Sequence, residues 1–196
     1  MRDLVARIVD GVLAPGATAA DPDASEPRDQ RDAGAGDASA PSGLDTIAIG
    51  ADHGGYALKE RLGFKLRERG HEVIDCGTGS TESVDYPDFA HAVAKEVATG
   101  AAGCGIIIDG AGIGSSMVAN KVPGVRAALC YDISSARNSR EHNHANVLTL
   151  GAGLVGDGLA WQIVQEWLAM DWGGDRHARR VDKITQIEQS YFEERP

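Results

Sequence analysis

Five short apolar runs between residues 46 and 150 predict β-strands, because glycine or polar residues bound each of them. The runs cover residues 46–50, 72–75, 104–109, 125–130 and 147–150. Apolar residues recur at helical spacing over residues 56–69, 87–99, 134–141 and 154–170, and from the loop after Asp109 to about Asn120. Strands that alternate with helices indicate an α/β fold with a doubly wound parallel sheet of five strands.

A last helix is predicted over residues 175–192, after a Gly173-Gly174 break. Its apolar residues Val181, Ile184 and Ile187 form one stripe, and no further strand is predicted after it. An amphipathic helix beyond a completed sheet is typical of a segment that docks on a partner subunit. The sequence therefore predicts a C-terminal helix that contributes to a dimer.

Residues 1–45 have a different pattern from the rest of the chain. Over residues 1–14, Leu4, Ile8 and Val12 recur at helical spacing, which predicts a short amphipathic helix. Residues 15–45 are mostly alanine, aspartate, glycine, proline and serine, which predicts a disordered linker. An isolated helix this short is marginal in water, so we expect it to need a partner surface. The folded domain is predicted over residues 46–196.

Composition narrows the function classes. A formal net charge of −10 argues against nucleic acid as a partner, whereas a small phosphorylated substrate needs only a few local arginines. The three cysteines are widely spaced, which argues against a disulfide framework and against a zinc site, so no metal is predicted. No apolar run approaches the length of a membrane span and the N-terminus lacks a secretory pattern, so we expect a cytoplasmic protein.

A glycine-rich turn follows the third predicted strand, which ends in Asp109. Gly110, Gly112 and Gly114 are spaced G-x-G-x-G, which is neither the dinucleotide fingerprint nor a Walker loop, so no nucleotide cofactor is predicted. Glycines let backbone N–H groups approach an anion closely, and Asp109 beside them is a candidate base. The alternatives are a tight strand-to-helix connection and a capping role for Asp109.

Other polar segments are expected beside this turn, at the carboxyl edge of the sheet. They are Asp52-His53 after the first strand, Asp85-Tyr86-Pro87 after the second, and Arg140-Glu141-His142-Asn143 after the fourth. Arg176, His177 and Arg180 add a basic cluster. Each segment has a simpler interpretation, as a helix cap or a solvated face, but their convergence at one edge favours a site for a small oxyanionic substrate.

Six segments together carry a family resemblance. They are Gly50-Ala51-Asp52-His53-Gly54-Gly55-Tyr56-x-Leu58-Lys59, Asp85-Tyr86-Pro87, Gly110-x-Gly112-x-Gly114, Ala119-Asn120-Lys121-Val122-Pro123-Gly124-Val125-Arg126-Ala127, Arg140-Glu141-His142-Asn143 and Arg176-His177-x-x-Arg180. Through them the chain, from residue 46 to about residue 192, resembles the ribose-5-phosphate isomerase B family, which includes the galactose-6-phosphate isomerase subunits. The resemblance implies a Rossmann-like fold, a homodimer or dimer of dimers, and aldose–ketose isomerisation without a cofactor. It also implies an active site shared across the dimer.

The resemblance implies a role for each matching residue. Asp52 and His142 match the pair that opens the sugar ring. Asn143 and the loop N–H groups match the groups that stabilise the enediolate, and the C-terminal basic residues match the phosphate ligands. The full set of implied substrate-binding residues is His53, Tyr86, Gly110, Gly112, Gly114, Ser115, Arg176, His177 and Arg180.

The chain departs from the family pattern at the position of the base. The usual base is a cysteine where Asp109 stands or a glutamate where Ser115 stands, and an arginine is usual where Gly153 stands. Asp109 is therefore the candidate base, although an ordinary aspartate is a weak base near neutral pH. These departures leave open which sugar phosphate is the substrate. The alternative is a catalytically silent subunit that partners an active paralogue.

The N-terminal pattern resembles the encapsulation peptides of bacterial microcompartments. A short amphipathic helix on a flexible tether implies a microcompartment shell protein as partner of residues 1–14, and a location inside the compartment. The alternative is an expression artefact or a start codon assigned too early.

Overall fold

The computed structural model describes residues 45–193, and it confirms the predicted parallel sheet. The strands are β1 (Thr46–Ala51), β2 (Glu72–Asp75), β3 (Cys104–Asp109), β4 (Ala127–Leu129) and β5 (Val147–Gly151). They are all parallel and lie in the order β2-β1-β3-β5-β4. The amphipathic helix expected over residues 1–14 and all but the last residue of the expected linker lie outside the described residues.

Helices cover both faces of the sheet, as expected for a doubly wound fold. They are α1 (Tyr56–Glu68), α2 (Tyr86–Ala98), α3 (Ile113–Ala119), α4 (Ile133–Glu141), α5 (Asp157–Ala169) and α6 (Asp175–Glu193). Apolar residues of α1, α4 and α5 share one buried cluster with the sheet, and those of α2 and α3 share the other. Strand β3 lies at the centre with every residue buried, so its C-terminal residue Asp109 is carried into the interior of the protein.

Two elements, β4 and α5, differ from the predicted bounds by more than one residue at one end. Strand β4 is shorter than residues 125–130, because Val125 N–H donates to Val122 O in a turn and Arg126 N–H donates to the Asn146 side chain. Helix α5 begins at Asp157 rather than at residue 154. Residues 154 and 155 instead donate their N–H groups to Gly151 O, which forms a turn before the helix.

Helix α6 lies beyond the sheet, as the sequence predicts, and begins next to the end of α4. Gly173 N–H donates to Glu141 O at 3.0 Å, and farther along the helix Glu188 accepts a hydrogen bond from Gly124 N–H at 2.9 Å. Within residues 45–193 no helix is long and apolar enough to cross a membrane.

Candidate active site

Glycines shape the loop between β3 and α3 at positions where a side chain would not fit. Gly112 has a φ of +78°, and a Cβ atom there would lie 2.5 Å from Leu129 Cδ1. At Gly114 a Cβ atom would lie 2.5 Å from Tyr86 Cζ, so the tyrosine ring rests directly on the loop. The glycine spacing therefore permits close packing, and it brings the candidate substrate-binding residue Tyr86 to the loop.

The Asp109 carboxylate holds this loop in place. Its side chain is only 5% exposed. Oδ1 accepts hydrogen bonds from Ala111 N–H at 2.7 Å and from Gly112 N–H, whereas Oδ2 accepts from Ser115 N–H at 3.1 Å and Ser115 Oγ–H at 2.5 Å. Four donors on one carboxylate make it an anchor of the loop. The capping interpretation of Asp109 thus describes its contacts in this structure.

These contacts decide which loop N–H groups can bind a ligand. Gly112 and Ser115, both expected in the anion cradle, donate their N–H groups to Asp109 instead. For the N–H groups of Gly110, Ile113 and Gly114, no acceptor is found among residues 45–193. Of the predicted loop N–H groups from Gly110 to Ser115, these three are therefore the ones left for an oxyanion.

Asp52 and His53 lie at the same edge of the sheet. Asp52 Oδ1 accepts a hydrogen bond from Gly55 N–H at 2.9 Å, which caps the turn before α1. His53 Nδ1 lies 3.1 Å from Val84 O and 3.2 Å from Val84 N, and so joins the β1 loop to the segment that leads to Tyr86. We call Asp52, His53, Tyr86, Asp109 and residues 110–115 the carboxyl-edge group.

The loop after β5 also reaches this edge. Gly153 N–H donates to Gly110 O at 2.9 Å, and a Cβ atom at Gly153 would lie 3.0 Å from the same oxygen. The position where the resembling family has an arginine therefore borders the glycine loop. In this chain it contributes only a backbone contact.

His142 and Asn143 lie at the opposite edge, so the expectation that they share the edge of Asp109 within one chain is wrong. Helix α4 runs antiparallel to the strand it follows, which puts its C-terminal end at the amino edge of the sheet. There His144 O accepts a hydrogen bond from Arg126 Nε at 2.9 Å, next to the start of β4. Strand β5 alone separates the two edges by roughly 13 Å.

The first turn of α6 packs against His142 through His177. The rings of His142 and His177 stack with centroids 4.3 Å apart and planes 10° apart. His177 is 4% exposed, and Arg176 Nε donates to its Nε2 at 3.0 Å. Burial, together with the neighbouring His142, Arg176 and Arg180, lowers the pKa of His177 from its usual 6.5. We call His142, Asn143, Arg176, His177 and Arg180 the amino-edge group.

One polar contact of this group was missed from the sequence. Asn138 Nδ2 lies 3.0 Å from His142 Nδ1. Asn138 precedes His142 by four residues at the end of α4, a spacing that places two side chains on one helix face. This four-residue spacing could have predicted the contact between Asn138 and His142.

Cys76, Cys104 and Cys130 are free, and none of them is a member of either group. Burial raises the pKa of the Cys76 thiol to about 11 and that of Cys104 to about 12, so neither is a thiolate near neutral pH. Within the described range, no cluster of three or more histidine, cysteine, aspartate or glutamate residues could hold a metal ion.

Comparison with known proteins identifies the family. Residues 47–184 match the family described as Ribose/Galactose Isomerase. Ribose-5-phosphate isomerase B of Escherichia coli strain K12 is 50% identical over 143 residues, which is 73% of this chain and 96% of that protein.

Solved structures agree with this assignment. Ribose-5-phosphate isomerase B of Clostridium thermocellum is 54% identical with a TM-score of 0.74, over 74% of this chain and 99% of that one. The Mycoplasma genitalium ribose-5-phosphate isomerase B, solved with bound ribulose-5-phosphate, is 40% identical with a TM-score of 0.71, over 74% of this chain and 96% of that one. The chain belongs to the ribose/galactose isomerase family and is an isomerase of the same type as ribose-5-phosphate isomerase B.

Proposed function

We propose that this chain interconverts the aldose and ketose forms of a phosphorylated sugar, ribose 5-phosphate or a related one, through an enediolate and without a cofactor. The carboxyl-edge group is the observation that carries the proposal. It combines a buried carboxylate, three loop N–H groups without an acceptor among the described residues, and Asp52, His53 and Tyr86 at one sheet edge. The ribulose-5-phosphate bound to the Mycoplasma genitalium relative supports the substrate class.

We assign the base to Asp109. In the reaction the base takes the proton from the carbon beside the carbonyl, an enediolate forms, and the proton returns to the neighbouring carbon. Asp109 and Ser115 occupy the two positions where the resembling family has its base, and a 2.5 Å hydrogen bond joins them. Release of the Ser115 hydroxyl would make a carboxylate oxygen available. The N–H groups of Gly110 and Gly114 would stabilise the enediolate oxygen.

We propose that two copies of the chain complete the site, with the carboxyl-edge group of one meeting the amino-edge group of the other. The apolar face of α6 supports this arrangement, because Ile187 is 61% and Tyr191 65% exposed in the single chain. These residues line a groove of about 690 Å³ between α6 and the segment before β4. In the dimer, or a dimer of dimers, Arg176, His177 and Arg180 would bind the phosphate and Asn143 the enediolate.

A coupled assay tests the reaction. The purified full-length chain is supplied with aldose phosphates of four to six carbons, and formation of the ketose phosphate is followed. We expect at least one member of the panel to be converted. If none is converted at protein concentrations that give dimers, this chain alone is not the proposed enzyme.

The second candidate is a silent subunit that partners an active paralogue. The four hydrogen bonds that fix Asp109 in the loop favour it, because they give the carboxylate a structural role without catalysis. Asp109→Cys restores the residue usual in the resembling family. An inactive wild-type chain that gains isomerase activity on this substitution would support the silent subunit, and activity of the wild-type chain would exclude it.

We also propose that residues 1–14 target the chain to a bacterial microcompartment through a shell protein. The apolar stripe of Leu4, Ile8 and Val12 and the tether-like composition of residues 15–45 support this proposal.

A further inference from the structure

The protonation site of His142 is determined by its neighbour Asn138. An amide nitrogen can only donate a hydrogen bond, so at 3.0 Å from Asn138 Nδ2 the His142 Nδ1 atom must accept one. A neutral imidazole that accepts at Nδ1 carries its proton on Nε2. The contact therefore selects this tautomer, because an N–H at Nδ1 would lie against the amide NH₂.

A second amide supports this orientation of Asn138. Asn143 Nδ2 lies 3.4 Å from Asn138 Oδ1 and 3.4 Å from Asn138 O. The Asn138 oxygen thus faces a donor, which leaves its nitrogen directed at His142. The two amides and the imidazole form a row in which each donor meets an acceptor.

The remaining surroundings of the His142 ring come from two helices. On α4, Glu141 Oε2 lies 3.8 Å from His142 Nε2. On α6, the buried His177 ring stacks on the face of His142, and Arg176 and Arg180 are close enough to lower the pKa of His177. Glu141 is an acceptor near Nε2 and Asn138 is a donor at Nδ1, so both neighbours favour a proton on Nε2.

We propose that Asn138 is a positioning residue, which holds His142 in the tautomer that carries its proton on Nε2 and so makes this N–H a hydrogen-bond donor. The inference rests on the proposed function, in which His142 and Asp52 open the sugar ring. Ring opening breaks the bond between C1 and the ring oxygen, forms the C1 carbonyl and moves one proton from the C1 hydroxyl to the ring oxygen. Asp52 carries that proton, and the Nε2–H of His142 stabilises the negative charge that develops on the ring oxygen.

Nitrogen-15 NMR of the full-length protein tests the tautomer directly. In the wild-type chain we expect His142 Nδ1 to be unprotonated and Nε2 protonated near neutral pH. Asn138→Asp is isosteric but presents a carboxylate oxygen, which accepts a hydrogen bond, so it should move the proton to Nδ1. Asn138→Leu should remove the selection. A wild-type His142 protonated at Nδ1, or an unchanged tautomer in Asn138→Asp, would overturn the proposal.

Kinetic measurements then distinguish a positioning role of Asn138 from a general loss of structure. Ribulose 5-phosphate has no hydroxyl that can close a five-membered ring, so incorporation of solvent deuterium at its C1 requires proton abstraction but not ring opening. We expect Asn138→Asp to slow conversion of ribose 5-phosphate by about tenfold or more while deuterium incorporation stays within about twofold of wild type. Ser134→Ala, an exposed position one turn earlier on α4, is the matched control and should change neither rate.

The outcomes distinguish this inference from the function on which it rests. Equal losses in both assays would mean that Asn138 supports the fold and would overturn the positioning role. A wild-type chain inert towards both substrates would contradict the proposed function, while the NMR measurement would still decide whether Asn138 selects the tautomer.

Discussion

At the scale of single residues, the proposed reaction places two competing demands on Asp109. As an anchor it needs its four donors, and as a base it needs an oxygen that reaches the substrate. Asn at this position has almost the same shape but presents an NH₂ group to two of the donors. Its effect therefore extends beyond the removal of a base.

We predict that Asp109→Asn lowers activity at least ~100-fold through loss of the base, and lowers the free energy of unfolding by about 1–3 kcal/mol through unsatisfied loop donors. Initial rates and urea denaturation measure the two effects. Ser115→Ala is the matched control, because it removes one donor but keeps the carboxylate, and it should retain activity. Loss of activity in Ser115→Ala as well would indicate that the hydroxyl takes part in proton transfer.

Arg180 is predicted to act in phosphate binding. A phosphate remote from the reacting carbons is held equally in the ground and transition states, so Arg180→Ala should raise KM about tenfold and leave kcat nearly unchanged. Steady-state kinetics check the separation of the two constants. Arg179→Ala, on the same helix and also exposed, is the control. An unchanged KM in Arg180→Ala would remove that residue from the site.

At the scale of elements, the docking of α6 should depend on pH through His177. The fold lowers the pKa of His177, so below its ordinary value the unfolded chain binds a proton that the folded chain does not. Stability should therefore fall as the pH drops through about 6.5. Thermal unfolding measured across this range should show a smaller fall in His177→Phe than in wild type. Equal falls in both proteins would show that other groups cause the acid sensitivity.

Much of the fold could be predicted from apolar periodicity. Strands β2 and β3 match the predicted bounds because charged residues bound the apolar pair of β2, and Gly103 and Asp109 bound the apolar run of β3. Strand β4 is shorter than predicted, because the Asn146 side chain accepts a hydrogen bond from the Arg126 N–H. The pattern of apolar residues along the chain does not predict this contact.

The candidate site could be predicted only in part. Tyr86 and Asp109 lie at the predicted edge because the carboxyl ends of parallel strands meet there. His142 lies at the other edge, because α4 runs antiparallel to β4 and ends at the amino edge of the sheet. The prediction did not distinguish the two ends of this helix. The partners of Asp109 escaped prediction because they depend on how the glycine loop folds back over β3.

At the scale of the whole molecule, the separation of the two groups predicts complementation between inactive chains. Chains that carry Asp109→Asn are mixed with chains that carry both His142→Asn and Arg180→Ala, under conditions that allow subunit exchange. Random exchange makes half of the dimers mixed, and each mixed dimer has one intact site, so about a quarter of wild-type activity should return. No recovery, with mixed dimers confirmed by mass spectrometry, would place both groups in one chain's site.

The N-terminal residues are predicted to be dispensable for catalysis. Deletion of residues 1–43 should leave activity and dimerisation unchanged, because their composition offers no apolar core to the domain. Residues 1–20 fused to a fluorescent protein should form puncta in cells that produce shell proteins, and Ile8→Asp should disperse them. Diffuse fluorescence from the unchanged fusion would contradict the targeting role.

The amino-edge group and the carboxyl-edge group lie at opposite edges of the sheet, and in the proposed dimer this makes the reaction rate depend on protein concentration. A single chain, however well folded, would hold half of each site, so in the proposed dimer every turnover requires two chains. Once dimers dissociate, the rate per chain falls in proportion to concentration and the total rate falls with its square. Confining the chains in a small volume would then raise the turnover rate of each chain. Under the proposed targeting, residues 1–14 would therefore affect the activity of the enzyme as well as its location.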